Sequence, residues 1–286
     1  MTVTYSAKTL PVIRLAYRVR TPPGPGVNVV TRTVGQPATR VLVVTPDGHR
    51  TNRPAVLTLH GGGMIVESPQ LELGTHGRLA RELGAVVVSP DYRLAPENPF
   101  PAALDDCMAR LQWMRQNADD LGIDVDRIAV VGRSAGGGLA AAVAQRSHDE
   151  GFTLRAQGLM YPMLDDRTVL KDDDEGRGRL VWTPGSNRFA WTAYLGREPR
   201  RSDAPPYAAP ARDDLSGLPP AWIGVGDLDL YYAEDVAYTE RLRASGVQCE
   251  LVTVPRMYHA ADGFAQKAPL MDEFIQKLID HLRAHL

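Results

Sequence analysis

The stretch IAVVGRSAGGGLAAAVA, residues 128–144, decides the fold. Its apolar run at 128–131 reads as a strand, and the small residues after position 134 read as a helix. Between them, Gly132-Arg133-Ser134-Ala135-Gly136 matches G-x-S-x-G. A serine at so sharp a strand-to-helix turn needs a strained backbone, and neighbours as small as Gly132 and Gly136 let the surrounding chain come close. Such a turn lifts the Ser134 hydroxyl above the sheet edge and aims a helix N-terminus at the reacting atom. The competing reading is a tight turn with an incidental serine.

Outward from this turn, aliphatic runs at 41–44, 55–59, 85–89, 157–161, 221–225 and 247–254 repeat the strand pattern. Amphipathic patterns lie between most of them. Residues 101–117 place Leu104, Cys107, Met108, Leu111 and Met114 on one face, with Asp105, Arg110 and Arg115 expected to face water. Further helices are expected at 233–245, ending at Gly246, and at 270–286. Continuous apolar strands alternating with amphipathic helices imply an α/β fold whose mostly parallel central sheet is flanked by helices. Residues 1–30 and 165–215 break the alternation and read as additions to the sheet, and the run KDDDEGRGR at 171–179 reads as exposed loop.

Composition narrows the function. The 286 residues carry 32 basic and 34 acidic side chains and are 44% hydrophobic, which excludes a disordered or polyelectrolyte chain. No basic run has the clustering of a nucleic-acid-binding stripe, and no apolar run has the length of a membrane span or signal peptide. The expected location is cytoplasmic. Cys107 and Cys249 lie far apart without a C-x-x-C partner, so they read as two reduced core thiols.

A hydroxyl nucleophile needs a base, and the base an orienting acid. Three glycines follow His60 directly after the 55–59 strand, and their backbone N–H groups can turn toward a negative oxygen. No P-loop ending or dinucleotide fingerprint accompanies them, which disfavours nucleotide binding. Of the seven histidines, His60 belongs to the glycine loop, His49 to a turn, and His76 and His148 fall in or beside helices. His281 and His285 form an i, i+4 pair without a third ligand and read as solvated surface, so no metal site is expected. His259 remains, just beyond the 247–254 strand, where α/β sheets place catalytic groups. Asp227, Asp229 and Asp235 all compete for the acid after the 221–225 strand, an N-terminal helix cap being the plain alternative for one of them.

Taken together, HGGG at 60–63, DYRLAPENPFPAALDD at 91–106, GRSAGG at 132–137, YPMLDD at 161–166, GLPPAWIGVGDLDL at 217–230 and MYH at 257–259 resemble the bacterial hormone-sensitive-lipase-like family of α/β-hydrolase esterases. The resemblance runs from about residue 45 to 286. It implies one catalytic domain over 1–286, with cap elements at about 1–30 and 165–215. It further implies Ser134 as nucleophile, His259 as general base and acid, and Asp229 as the acid orienting it. The N–H groups of Gly62, Gly63 and Ala135 would form the oxyanion hole, with Asp91 and Arg93 supporting that loop and no cofactor required. The implied activity is hydrolysis of short-chain or small aryl and alkyl esters through an acyl-enzyme. An amidase or deacetylase, and a non-catalytic binding protein on the same fold, are the alternatives. Met64, Ile65, Trp182, Phe189, Trp191 and Met257 are the candidate pocket residues. Arg133, where relatives carry an acidic or small residue, implies either a carboxylate partner or an anionic substrate. The short N-terminal segment implies an open pocket or one completed by a second copy, a homodimer.

Overall fold

The computed structural model describes residues 5–35, 38–48, 50–152, 154–171 and 176–286. His49 and residues 172–175 of the expected exposed loop lie outside them, as do residues 1–4 of the N-terminal addition. The strands are β1 (Val27–Val34), β2 (Thr39–Pro46), β3 (Arg53–Leu59), β4 (Val86–Pro90), β5 (Ile123–Arg133), β6 (Ala156–Met160), β7 (Ala221–Gly226) and β8 (Cys249–Val254). The helices are α1 (Leu10–Ala16), α2 (Leu73–Leu83), α3 (Ala102–Gln116), α4 (Ala118–Leu121), α5 (Ala135–Asp149), α6 (Pro184–Leu195), α7 (Tyr232–Ala244), α8 (Ala261–Phe264) and α9 (Pro269–His285).

The strands form one sheet in the order β1-β2-β4-β3-β5-β6-β7-β8. The pairs β1–β2 and β2–β4 are antiparallel and every later pair is parallel. Strands β3, β4, β6 and β7 and residues 128–132 of β5 are almost wholly buried because helices cover both faces. One apolar cluster joins α3, α5 and α7 to the sheet, and a second joins α2 and α9 to its other face. The C-terminal ends of β3, β5, β7 and β8 therefore open on one edge of the sheet, where ligands gather in such folds.

Strand β1 departs from expectation. Its residues 27–30 fall in a segment read as an addition, yet they pair with β2 from Val27↔Pro46 onward. The strand is hard to read because it is an edge strand whose side chains are largely exposed, so VNVVTRTV lacks a clean apolar face. Arg110 corrects a second expectation. It is fully buried, and its guanidinium donates to the Val34 carbonyl at the end of β1 rather than facing water. Likewise His281 is buried in α9 beside the half-buried His285, and burial pushes its imidazole down to about 4. Cys107 is buried and Cys249 half-buried, both as free thiols.

Ahead of the sheet, α1 buries only Leu10 and Ile13, while Val12 and Leu15 are exposed. Arg14 fastens it, donating to the Ile65 and Ala95 carbonyls at 2.8 Å and to both carboxylate oxygens of Glu97.

Candidate active site

Ser134 stands between β5 and α5 with φ +54° and ψ −123°, a conformation that L-residues rarely adopt. Two neighbours make the turn feasible. A Cβ on Gly136 would lie 2.0 Å from the Leu59 carbonyl oxygen, so only glycine lets α5 approach β3 there. The Ser134 N–H donates to the Met160 carbonyl at 2.8 Å, and its own carbonyl accepts from Met163 and Gly138, which fixes the strained residue from both sides.

From the ends of β7 and β8, two more side chains meet it. Ser134 Oγ lies 2.9 Å from His259 Nε2, and His259 Nδ1 lies 2.8 Å from Asp229 Oδ2. All three are buried. Asp229 also accepts from the Tyr231 N–H at 3.0 Å, so its carboxylate is held in register with the imidazole. The rings of Tyr161, Tyr231 and Trp182 surround that imidazole at centroid distances of 4.9, 5.3 and 6.1 Å. The other two aspartates are elsewhere: Asp227 accepts from the Arg256 N–H, and burial pushes the carboxyl of Asp235, which has no hydrogen-bond partner among the described residues, well up. None of the three caps α7, whose N-cap is Tyr231.

The glycine loop follows β3. Gly62 has φ +93°, and a Cβ there would lie 2.3 Å from the Val66 carbonyl oxygen, so the tight turn at 62–66 requires glycine. Among the described residues, the N–H groups of Gly62, Gly63 and Ala135 have no protein acceptor, which leaves them available to a ligand oxygen. His60 is buried and stacks on Tyr92 at 4.0 Å, and the Tyr92 hydroxyl donates to the His60 carbonyl at 2.7 Å. Tyr92 is thus the direct support of the loop. Its flanking residues act one step away, Asp91 pairing with Arg40 and Arg93 with Asp106 of α3.

A cavity of about 170 Å³ opens over Ser134 and His259. Of the six expected pocket residues, Trp182 lines it and the others do not. The turn at 62–66 directs Met64 and Ile65 into the core, Trp191 packs there from α6, and Met257 packs behind β7 and β8. Phe189 is only partly buried on α6, away from the cavity. The walls come instead from Tyr5, Tyr17, Glu67, Arg133 and Asp262. Tyr5, Tyr17, Glu67 and Asp262 escaped the sequence reading because their partners lie far away in the chain. Arg133 was the available signal, since a buried cation beside the serine requires carboxylates.

Those carboxylates surround it. Arg133 Nε forms an ion pair with Glu72 at 2.9 Å, and its Nη1 and Nη2 stand 3.7 Å from Asp262 and 4.0 Å from Glu67. Glu72 also accepts from the Gly61 N–H at 3.0 Å, tying the cluster to the glycine loop. Burial pushes the Glu72 carboxyl up, but Arg133 and His76 outweigh it and hold it down at about 2. Glu67 goes the other way, since burial exceeds the help from Arg133 and raises it to about 7. No group of three or more potential metal ligands occurs among the described residues, and no helix among them is long and apolar enough to cross a membrane.

The family model described as the alpha/beta hydrolase fold matches residues 56–262. Carboxylesterase NlhH of Mycobacterium tuberculosis is 38% identical over 279 residues, covering 90% of this chain and 83% of that protein. Esterase LipI of the same organism is 33% identical, covering 96% and 87%. Among solved structures, a bacterial heroin esterase superposes with a TM-score of 0.91 at 32% identity, covering 100% of this chain and 95% of that one. The chain belongs to the α/β-hydrolase fold family, in its hormone-sensitive-lipase-like esterase branch, and is a carboxylic ester hydrolase.

Proposed function

We propose that the chain is a serine esterase in which Ser134 attacks the ester carbonyl, His259 moves the proton and Asp229 orients His259. The observation that carries this reading is the continuous contact from Ser134 Oγ to His259 Nε2 at 2.9 Å and from His259 Nδ1 to Asp229 at 2.8 Å. His259 takes the hydroxyl proton as Ser134 Oγ bonds to the carbonyl carbon, and the buried Asp229 carboxylate stabilises the imidazolium that forms. The oxyanion is received by the N–H groups of Gly62, Gly63 and Ala135, the last at the N-terminus of α5. Each such donor contributes about 3 kcal/mol in comparable sites. His259 then returns its proton to the departing alcohol, and water repeats the sequence on the acyl-enzyme. The described residues of 5–26 and 165–215 serve as the cap, supported by Tyr5, Tyr17 and Trp182 in the pocket wall.

The substrate is a small ester. Pockets for drug-sized ligands span about 300–1,000 Å³, and the cavity here is about 170 Å³. Hydrolysis of a chromogenic short-chain ester by wild type and by Ser134→Ala tests the mechanism, and an undiminished rate in the variant would overturn it. Across an acyl series, kcat/KM should be highest for the short chains, and a preference for long-chain triglyceride would reverse the size assignment.

A further inference from the structure

The pocket wall around Arg133 holds more negative charge than it neutralises. One guanidinium, Arg133, faces three carboxylates, Glu67, Glu72 and Asp262, with the Tyr5 and Tyr17 hydroxyls nearby. Two of the three carboxylates are well provided for: Glu72 has Arg133 and the Gly61 N–H, and Asp262 accepts from the Tyr161 hydroxyl at 2.5 Å. Glu67 is not. Its Oε2 has no hydrogen-bond partner among the described residues, its contact to Arg133 is 4.0 Å, and its side chain is 10% exposed. The residue also has φ +72°, a left-handed conformation that costs a non-glycine residue about 1 kcal/mol or more. That backbone lays the carboxylate against the glycine loop, where Oε2 would lie 3.2 Å from a Cβ on Gly61. A buried carboxylate held in a strained conformation, short of one cation and lining the cavity that contains Ser134, has the chemistry of a cation receptor.

We infer that Glu67 receives a positively charged ammonium group of the substrate, so that the pocket favours ammonium-bearing esters over neutral esters of the same shape. This rests on the esterase reading above and adds a substrate class to it. Arg133 keeps Glu72 and Asp262 occupied, which leaves Glu67 as the carboxylate free to pair. Because burial raises Glu67 to about 7, the preference should strengthen as pH rises through that value and the carboxylate becomes charged.

The test compares 2-(trimethylammonio)ethyl butyrate with its neutral isostere 3,3-dimethylbutyl butyrate. The permanent charge leaves the enzyme as the titrating partner. At pH 8 wild type should favour the cation in kcat/KM by at least about tenfold, chiefly through KM, and the ratio should fall toward one by pH 6. In Glu67→Gln the ratio should be near one at both pH values. A wild-type ratio near one, or an unchanged ratio in the variant, would overturn the proposal. Calorimetric titration of the resting wild-type enzyme with tetramethylammonium needs no variant: binding at pH 8 that weakens at pH 6 is expected, and no binding at pH 8 also overturns it. Failure of the esterase reading would show separately, as hydrolysis of the neutral isostere by Ser134→Ala at the wild-type rate.

Discussion

The two walls of the pocket are built on opposite principles. Around His259 every polar contact is saturated: Ser134, Asp229 and the Tyr231 N–H form one closed chain of hydrogen bonds. Around Arg133 the contacts are uneven, with Glu72 at 2.9 Å, Asp262 at 3.7 Å and Glu67 at 4.0 Å from a single guanidinium. The first wall fixes a geometry for chemistry, whereas the second keeps a charge in reserve. On the mechanism proposed above, saturation belongs to the reacting groups and incomplete pairing to the group left to meet a ligand.

Breaking the saturated wall should have the largest effect. Ser134→Ala removes the proposed nucleophile and should lower kcat by about 10⁶-fold, measured as initial rates on a chromogenic short-chain ester. Asp229→Asn keeps the shape but favours the wrong imidazole tautomer, so a loss of about 10⁴-fold is expected. Asp227→Asn and Asp235→Asn should each stay within about tenfold of wild type in the same assay, because neither touches His259; a larger loss in either would move the acid. On the uneven wall, Arg133→Met strips the cation from three carboxylates and should destabilise the fold by about 3–5 kcal/mol in denaturant titrations at pH 8.

The smallest effect sharpens the contrast most. Glu67 is raised to about 7 from an ordinary carboxyl value of 4.5, so the folded protein binds its proton more tightly than the unfolded chain does. Stability is therefore lost as pH rises from about 4.5 through 7, and Glu67→Gln should recover about 3 kcal/mol at pH 8 and nearly nothing at pH 4.5. Glu72 has the reverse sign. Held at about 2, it contributes stability above 4.5 that disappears only as pH falls toward 2. Glu72→Gln should thus destabilise at pH 8, where Glu67→Gln stabilises, and denaturation midpoints at the two pH values check both signs.

The same contrast explains what the sequence could tell. The elbow is local: Gly132, Ser134 and Gly136 lie within one turn, and the backbone they require is written in their own side chains. His259 was legible by elimination and by its place after β8. The choice among Asp227, Asp229 and Asp235 was open from residue pattern alone, because it depends on which carboxylate the β7–α7 loop turns inward. Pocket residues fared worst. Met64 and Ile65 follow the glycine loop directly, yet the turn at 62–66 sends both into the core and brings Glu67 to the cavity instead. Edge strand β1 and the buried Arg110 were missed for a related reason: a long side chain reaching 76 residues along the sequence to the Val34 carbonyl leaves no periodic trace.

The light attachment of helix α1 bears on opening motions. With two apolar side chains buried and Arg14 supplying its polar attachments to 65, 95 and 97, the helix has far less holding it than the central strands have. Its detachment is a sub-global event whose free energy lies well below that of global unfolding. Amide hydrogens at 13–17 should accordingly exchange with solvent deuterium long before those of β5, and Arg14→Ala should speed the first set without changing the second. Access to the pocket walls made by Tyr5 and Tyr17 is then set by a local equilibrium, independent of the sheet beneath.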